Sequence, residues 1–298
     1  MADKKSLLDP LVLARLSSLS LKARYVIEGV MSGLHRSPTR GFSQEFVQHR
    51  EYVSGDDLRY IDWKVLGRSD KYFIKQYKEE TNLRAYVVLD TSKSMSFSSA
   101  AAISKLEYAS VLAASIAYMV IKQGDSAGLA VFDKDLKTHL PPSADRSYLK
   151  TIVEKLENVQ PGEKSDFTSS FGMLSEILHK RSIIIIISDL LGDPDSVINA
   201  IKYFRYKKNE VVVFQILDKG ELDLSLNGSI RFEDIETNER LVTYPEIIKD
   251  EYEKLMKVFL ETYKVGFRKS DIDYCFATTD MPFDFVLGNY LNRQLSFQ

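Results

Sequence analysis

An unbroken apolar run from Ala85 to Leu89 ends at Asp90, and hydroxyls follow at alternate positions in Asp90-Thr91-Ser92-Lys93-Ser94-Met95. A run with no polar alternation reads as a strand buried on both faces, the kind that fills parallel sheets covered by helices. The Asp-x-Ser-x-Ser pattern then falls at the carboxyl end of a strand, where open parallel sheets place their ligands. Asp90, Ser92 and Ser94 offer only oxygen donors, two of them neutral, which suits a hard cation such as Mg2+ or Mn2+. The same three residues would also serve a plainer purpose, with Asp90 capping the next helix and the serines decorating its first turn.

The rest of the chain agrees with a doubly wound, mostly parallel α/β sheet beginning near Leu83. Residues 103–123 read as a helix apolar on most of its circumference, ending at Gly124. Strands are expected at 126–132, 183–188, 211–217 and 272–278, with a short one at 136–140 that Pro141-Pro142 should stop. Helices are expected at 148–158, 167–180, 197–207, 245–263 and 283–293. Residues 229–243 break the alternation and read as a hairpin turning at Thr237-Asn238. Upstream, residues 8–31 carry a helical apolar stripe, and 71–77 alternate as a strand with one wet face. The expected division is therefore 1–82, a helix with a small β region, and 83–298, the main α/β domain.

Composition removes several function classes. The 298 residues are 44% hydrophobic and 28% charged, enough for a substantial core, and the net charge of −2 gives no bulk attraction to nucleic acid or membrane. Cys275 is the only cysteine, so no intrachain disulfide forms, and its apolar setting reads as a buried thiol. The longest isoleucine run, Ile183 to Ile187, is far short of the ~20 residues a membrane span needs. With no signal-peptide core near Met1, the chain reads as a cytoplasmic protein.

The Asp90 stretch resembles the metal-ion-dependent adhesion site of von Willebrand factor A-type domains. The wider pattern resembles the bacterial family called domain of unknown function 58. It comprises Arg50-Glu-Tyr-Val-Ser-Gly55-Asp56-Asp57-Leu-Arg59-Tyr-Ile-Asp62-Trp63, Glu79-Glu80-Thr81 and the Asp90 motif. The resemblance implies an A-type, Rossmann-like fold in which three loops hold one divalent ion. It assigns Asp90, Ser92 and Ser94 to the first loop and Asp189 to the third. It assigns Ser165 to the second, where the family has a threonine, with Thr168 as the alternative. It also implies a partner, because members of the family are thought to work with MoxR-type AAA+ ATPases.

The segment holding Asp56, Asp57, Arg59, Asp62 and Trp63 has two readings. Arginine and tryptophan are common interface anchors, while a Gly-Asp turn would use the same acids to satisfy backbone amides. Catalytic signatures are absent from the sequence: the four histidines have no ligand-pair or triad spacing, and there is no nucleophile elbow and no phosphate-cradling loop. An aspartyl phosphoryl-transfer enzyme would carry a second acid two residues after Asp90, where this chain has Ser92. The expectation is a non-enzymatic, metal-dependent protein-interaction adaptor, with a metal-dependent phosphoryl-transfer enzyme and a metal-free structural domain as alternatives.

Overall fold

The structure is a computed structural model, described for residues 10–14, 16, 18–34, 49–51, 73–75, 83–99, 103–178, 181–224, 228–233 and 240–296. The chain divides into two compact units, one of residues 1–33 with 83–298 and the other of residues 34–82. The first helices, α1 (Pro10–Ala14) and α2 (Leu19–Leu34), thus belong with the main unit, whereas the sequence grouped them with the region up to residue 82. The physical reason is burial: Ala23, Val26, Ile27 and Val30 face inward, the Leu19 amide donates to Glu157, and Lys22 pairs with Glu107. In the smaller unit the described elements are β1 (His49–Glu51) and β2 (Phe73–Lys75), paired antiparallel. Asp56, Asp57, Arg59, Asp62 and Trp63 lie outside the described residues.

The main unit is built on β3 (Arg84–Asp90), whose last six residues are all buried. Beside it lie β4 (Ser126–Phe132), β5 (Leu136–Ser143), β6 (Ile183–Ser188), β7 (Glu210–Leu217) and β10 (Asp273–Thr278). The sheet order is β10-β7-β6-β3-β4-β5, with every pairing parallel except β4 with β5. The strand between β7 and β10 in the chain, β8 (Ile230–Glu233), pairs instead with β9 (Arg240–Thr243) as a separate antiparallel ribbon. The turn expected at Thr237-Asn238 lies outside the described residues.

Helices cover the sheet as its two apolar faces require. Helix α3 (Lys105–Lys122) packs against β3, β4, β6 and β7, and nearly all of its circumference is buried. Ser104 caps it by accepting from the Glu107 amide, and Gly124 leaves it with φ +90°, a left-handed conformation that suits glycine. Helix α4 (Tyr148–Glu157) packs against α3. Three further helices contribute to one buried hydrophobic cluster: α5 (Phe167–Ile177), α6 (Pro194–Tyr206) and α8 (Pro245–Lys269). There Tyr86, Val88, Ile184 and Ile186 from the sheet meet Phe167, Phe171, Ile201, Phe204, Tyr263 and Phe267. A short helix, α7 (Lys219–Asp223), follows β7, and α9 (Phe283–Ser296) closes the chain.

Two expectations need correcting. Strand β5 continues through Pro141-Pro142 to Ser143 because it is the sheet edge, where a missing N–H costs no ladder bond, and register shifts absorb the misfit. Gly128 of β4 permits that approach, since a Cβ there would stand 2.7 Å from the Leu140 carbonyl oxygen. Helix α8 runs six residues beyond Tyr263, because Tyr263 and Phe267 lie on one face and are both buried against the cluster.

Candidate metal site at the carboxyl edge

Strand order reverses at β3: the chain goes from β3 to β4 on one side and returns to β6 on the other. This is the topological switch point at which open α/β sheets leave a crevice. Asp90 and Asp189 stand on either side of it, at the ends of β3 and β6. The parallel register pairs Leu89 with Ile187, which sets Ser188 beside Asp90.

Asp90 is fully buried and its two carboxylate oxygens receive three donors. Oδ1 accepts from the Ser92 amide at 2.8 Å and from Ser165 Oγ at 2.7 Å. Oδ2 accepts from Ser188 Oγ at 2.6 Å, and Ser188 Oγ in turn accepts from the Leu190 amide at 2.9 Å. Burial, with the nearby Asp189 carboxylate adding to it, pushes the Asp90 carboxyl up to about 6 despite these hydrogen bonds. Ser92 and Ser94 bracket the start of a 3-10 turn over residues 93–96, and their hydroxyl oxygens lie 3.0 Å apart.

The loop bearing Ser165 is stapled in place by backbone bonds. The Gly162 amide donates to the Thr91 carbonyl at 2.7 Å, the Glu163 amide to Asp133 Oδ2 at 3.1 Å, and the Asp166 amide to the Asp133 carbonyl at 3.3 Å. A Cβ on Gly162 would stand 1.8 Å from Asp133 Oδ2, so this approach requires glycine. Asp166 caps α5 by accepting from the Ser169 amide, which leaves Ser165 just ahead of the helix and Thr168 within its first turn. Ser165 is therefore the hydroxyl of this loop that reaches Asp90.

Asp189 is also buried, but its main partner is a residue that sequence reasoning missed. Lys105 Nζ, fully buried at the start of α3, lies 2.8 Å from Asp189 Oδ2 and 2.6 Å from Glu221 Oε1 in α7. Burial pulls the lysine down, yet the two carboxylates outweigh it and hold the ammonium above its ordinary value. Burial raises the Glu221 carboxyl against the pull of that ammonium. The main chain around Asp189 is fixed as well. Gln215 Nε2 donates to its carbonyl, Tyr263 Oη donates to the Leu190 carbonyl, and Leu190 takes the left-handed φ of 55°. For a leucine that conformation is strained, and such strain is concentrated at functional sites.

The donor set fits a small hard cation on one side and departs from the expected pattern on the other. Neighbouring ligands of an octahedral ion with bonds of ~2.0–2.1 Å are separated by roughly 2.9 Å, and the Ser92 and Ser94 hydroxyls have nearly that spacing. Asp90 and Ser165 complete an oxygen wall beside them. Among the described residues no three His, Cys, Asp or Glu side chains converge on one point, so hydroxyls and water would dominate any coordination shell here. The departure is Asp189, whose carboxylate is engaged by Lys105. Two signals in the sequence could have found the missed groups: a lysine opening a helix that is otherwise apolar nearly all round, and a serine ending the isoleucine strand.

Fold and site together define a doubly wound α/β domain of the von Willebrand factor A, Rossmann-like kind, with a hydroxyl-rich carboxyl edge. The chain belongs to the family described as "Protein of unknown function DUF58", whose model matches residues 48–258. Uncharacterised proteins of Mycobacterium bovis and Mycobacterium tuberculosis are 26% identical over 234 residues, covering 77% of this chain and 72% of theirs. Among solved structures, it is similar to the conserved hypothetical protein BatB from Bacteroides thetaiotaomicron, at 18% identity and a TM-score of 0.44. That likeness covers 72% of this chain and 99% of BatB. An aerotolerance-related membrane protein from Bacteroides fragilis gives 18% identity and a TM-score of 0.46, over 72% of this chain and 100% of that one. The SpRpn10 VWA domain gives 10% identity and a TM-score of 0.43, over 69% of this chain and 93% of that domain. Among the described residues no helix is long and apolar enough to cross a membrane.

Proposed function

We propose that this chain is a cytoplasmic, non-enzymatic adaptor that binds another protein through a divalent ion, Mg2+ or Mn2+, at the carboxyl edge of its sheet. The observation that carries the reading is the pair of hydroxyls, Ser92 and Ser94, set 3.0 Å apart beside the buried Asp90 at the switch point. Ser92 and Ser94 would be direct ligands, with Asp90 and Ser165 holding the remaining shell through oxygen or water. When bound, the ion would retain positive charge and accept an acidic side chain from a partner. Asp90 itself is poorly suited to attack a phosphoryl group: it is fully buried, both its oxygens are engaged, and the second acid of such enzymes is replaced by Ser92.

The partner we propose is a MoxR-type AAA+ ATPase or its client, from the family resemblance. The test uses the purified MoxR-type ATPase of the same organism and the full chain, mixed with Mg2+, with chelator, and as Asp90→Ala. Retention only by the parent chain in Mg2+ is the expected outcome. Equal retention in all three would sink the metal bridge, and phosphoester turnover lost in Asp90→Ala would favour the enzyme alternative. The engagement of Asp189 by Lys105 favours the third reading, a structural domain without metal, and makes that lysine the next question.

A further inference from the structure

We infer that Lys105 is a tethered counter-cation that keeps Asp189 out of any ion shell at this edge and thereby sets how tightly the hydroxyl cage holds a divalent ion. The inference rests on the proposed metal reading and deepens it. Three observations lead to it. The ammonium has no exposed surface and sits 2.8 Å from Asp189 Oδ2, so that oxygen has its cation already. The other oxygen, Oδ1, accepts from the Leu191 amide at 3.2 Å, so both sides of the carboxylate are engaged. The lysine is itself fixed, because its amide donates to the Phe97 carbonyl and its ammonium is shared with Glu221, whose second oxygen accepts from the Asp218 amide at 2.7 Å.

Electrostatics give the direction. A hard dication gains most from anionic oxygens, and one carboxylate shared with an ammonium contributes far less than a free one. Among the described residues the cage is therefore left with Asp90 as its one acid held by neutral donors alone, beside the neutral hydroxyls of Ser92, Ser94 and Ser165. Lys105 is a positioning residue here: it acts on the ion site through Asp189 and does not touch the cage hydroxyls.

Removing the lysine alone strands the buried Asp189 and the half-buried Glu221 carboxylates and could unfold the chain. The decisive variant is the double Lys105→Met, Glu221→Gln, which removes one positive and one negative charge and leaves the local net charge unchanged. Mn2+ binding is read by electron paramagnetic resonance and calorimetry on the full chain, with circular dichroism to verify folding. The expected result is Mn2+ binding at least tenfold tighter in the double variant than in the parent, reversed when Asp189→Asn is added. If the parent binds Mn2+ and the folded double variant binds it no more tightly, the Lys105 inference is overturned while the metal reading stands. Mn2+ bound by the double variant but not by the parent supports the Lys105 inference and removes the metal reading for the natural chain. If neither binds, both are wrong.

Discussion

Asp90 is a fully buried carboxyl beside a second buried acid, Asp189. Burial first, and then Asp189, lift its carboxyl from an ordinary 3.8 to about 6. A carboxyl raised in the folded state keeps its proton longer there than in the unfolded chain. Its favourable contribution is therefore complete below the unfolded value and is lost as pH rises through about 6. In chelator, Asp90→Asn is expected to be more stable than the parent at pH 8 by up to about 3 kcal/mol. The difference should shrink towards zero near pH 4, as followed by urea unfolding across that range. A pH-independent difference would remove Asp90 as the titrating group. At this scale the sequence exposed Asp90, Ser92 and Ser94 because they are neighbours in one short stretch. It did not expose Ser188, which lies 98 residues from Asp90, or the Lys105 to Glu221 pair, 116 residues apart. Only the strand register and helix docking bring those groups together.

At the scale of elements, the site depends on loops held by backbone hydrogen bonds, and the loop of residues 160–166 is the most exacting. Gly162→Ala would press a methyl against Asp133, a side chain already fixed by the Asp135 and Glu163 amides, so the loop must move. The expected cost is roughly 1–3 kcal/mol, with Mn2+ affinity falling as far as it does in Ser165→Ala. A thermal melt and a metal titration on the same samples check both, and a Gly162→Ala variant with parental Tm and affinity would mean the loop does not place Ser165. The central strands and the buried helix were legible because periodicity reports burial directly. Helix α7 was not, because its five residues are too few to show a period, and its capping box of Asp218 and Glu221 resembles any acidic turn. The prolines of β5 misled because sequence alone does not distinguish a sheet edge from its middle.

Across the whole molecule, the sheet ends four strands in or beside an aspartate: Asp90, Asp133, Asp189 and Asp218. Each has acquired a different set of partners. Asp133 staples the Ser165 loop. Asp218 is held below its ordinary range, since donations from Ser99, the Gly220 amide and Thr279 overcome a burial that raises it. Asp189 is paired with Lys105. Asp90, like Asp218, takes its hydrogen bonds from neutral donors, and the two closely spaced hydroxyls of Ser92 and Ser94 lie just beyond it. The proposed divalent ion would be held by Ser92, Ser94 and Asp90. The measurement that tests it most directly is a Mn2+ titration of the parent chain and of the Ser92→Ala, Ser94→Ala double variant, each verified as folded. The expected result is one ion per parent chain, displaced by Mg2+, and none on the variant. Equal binding by both, or no binding by the parent, would contradict it.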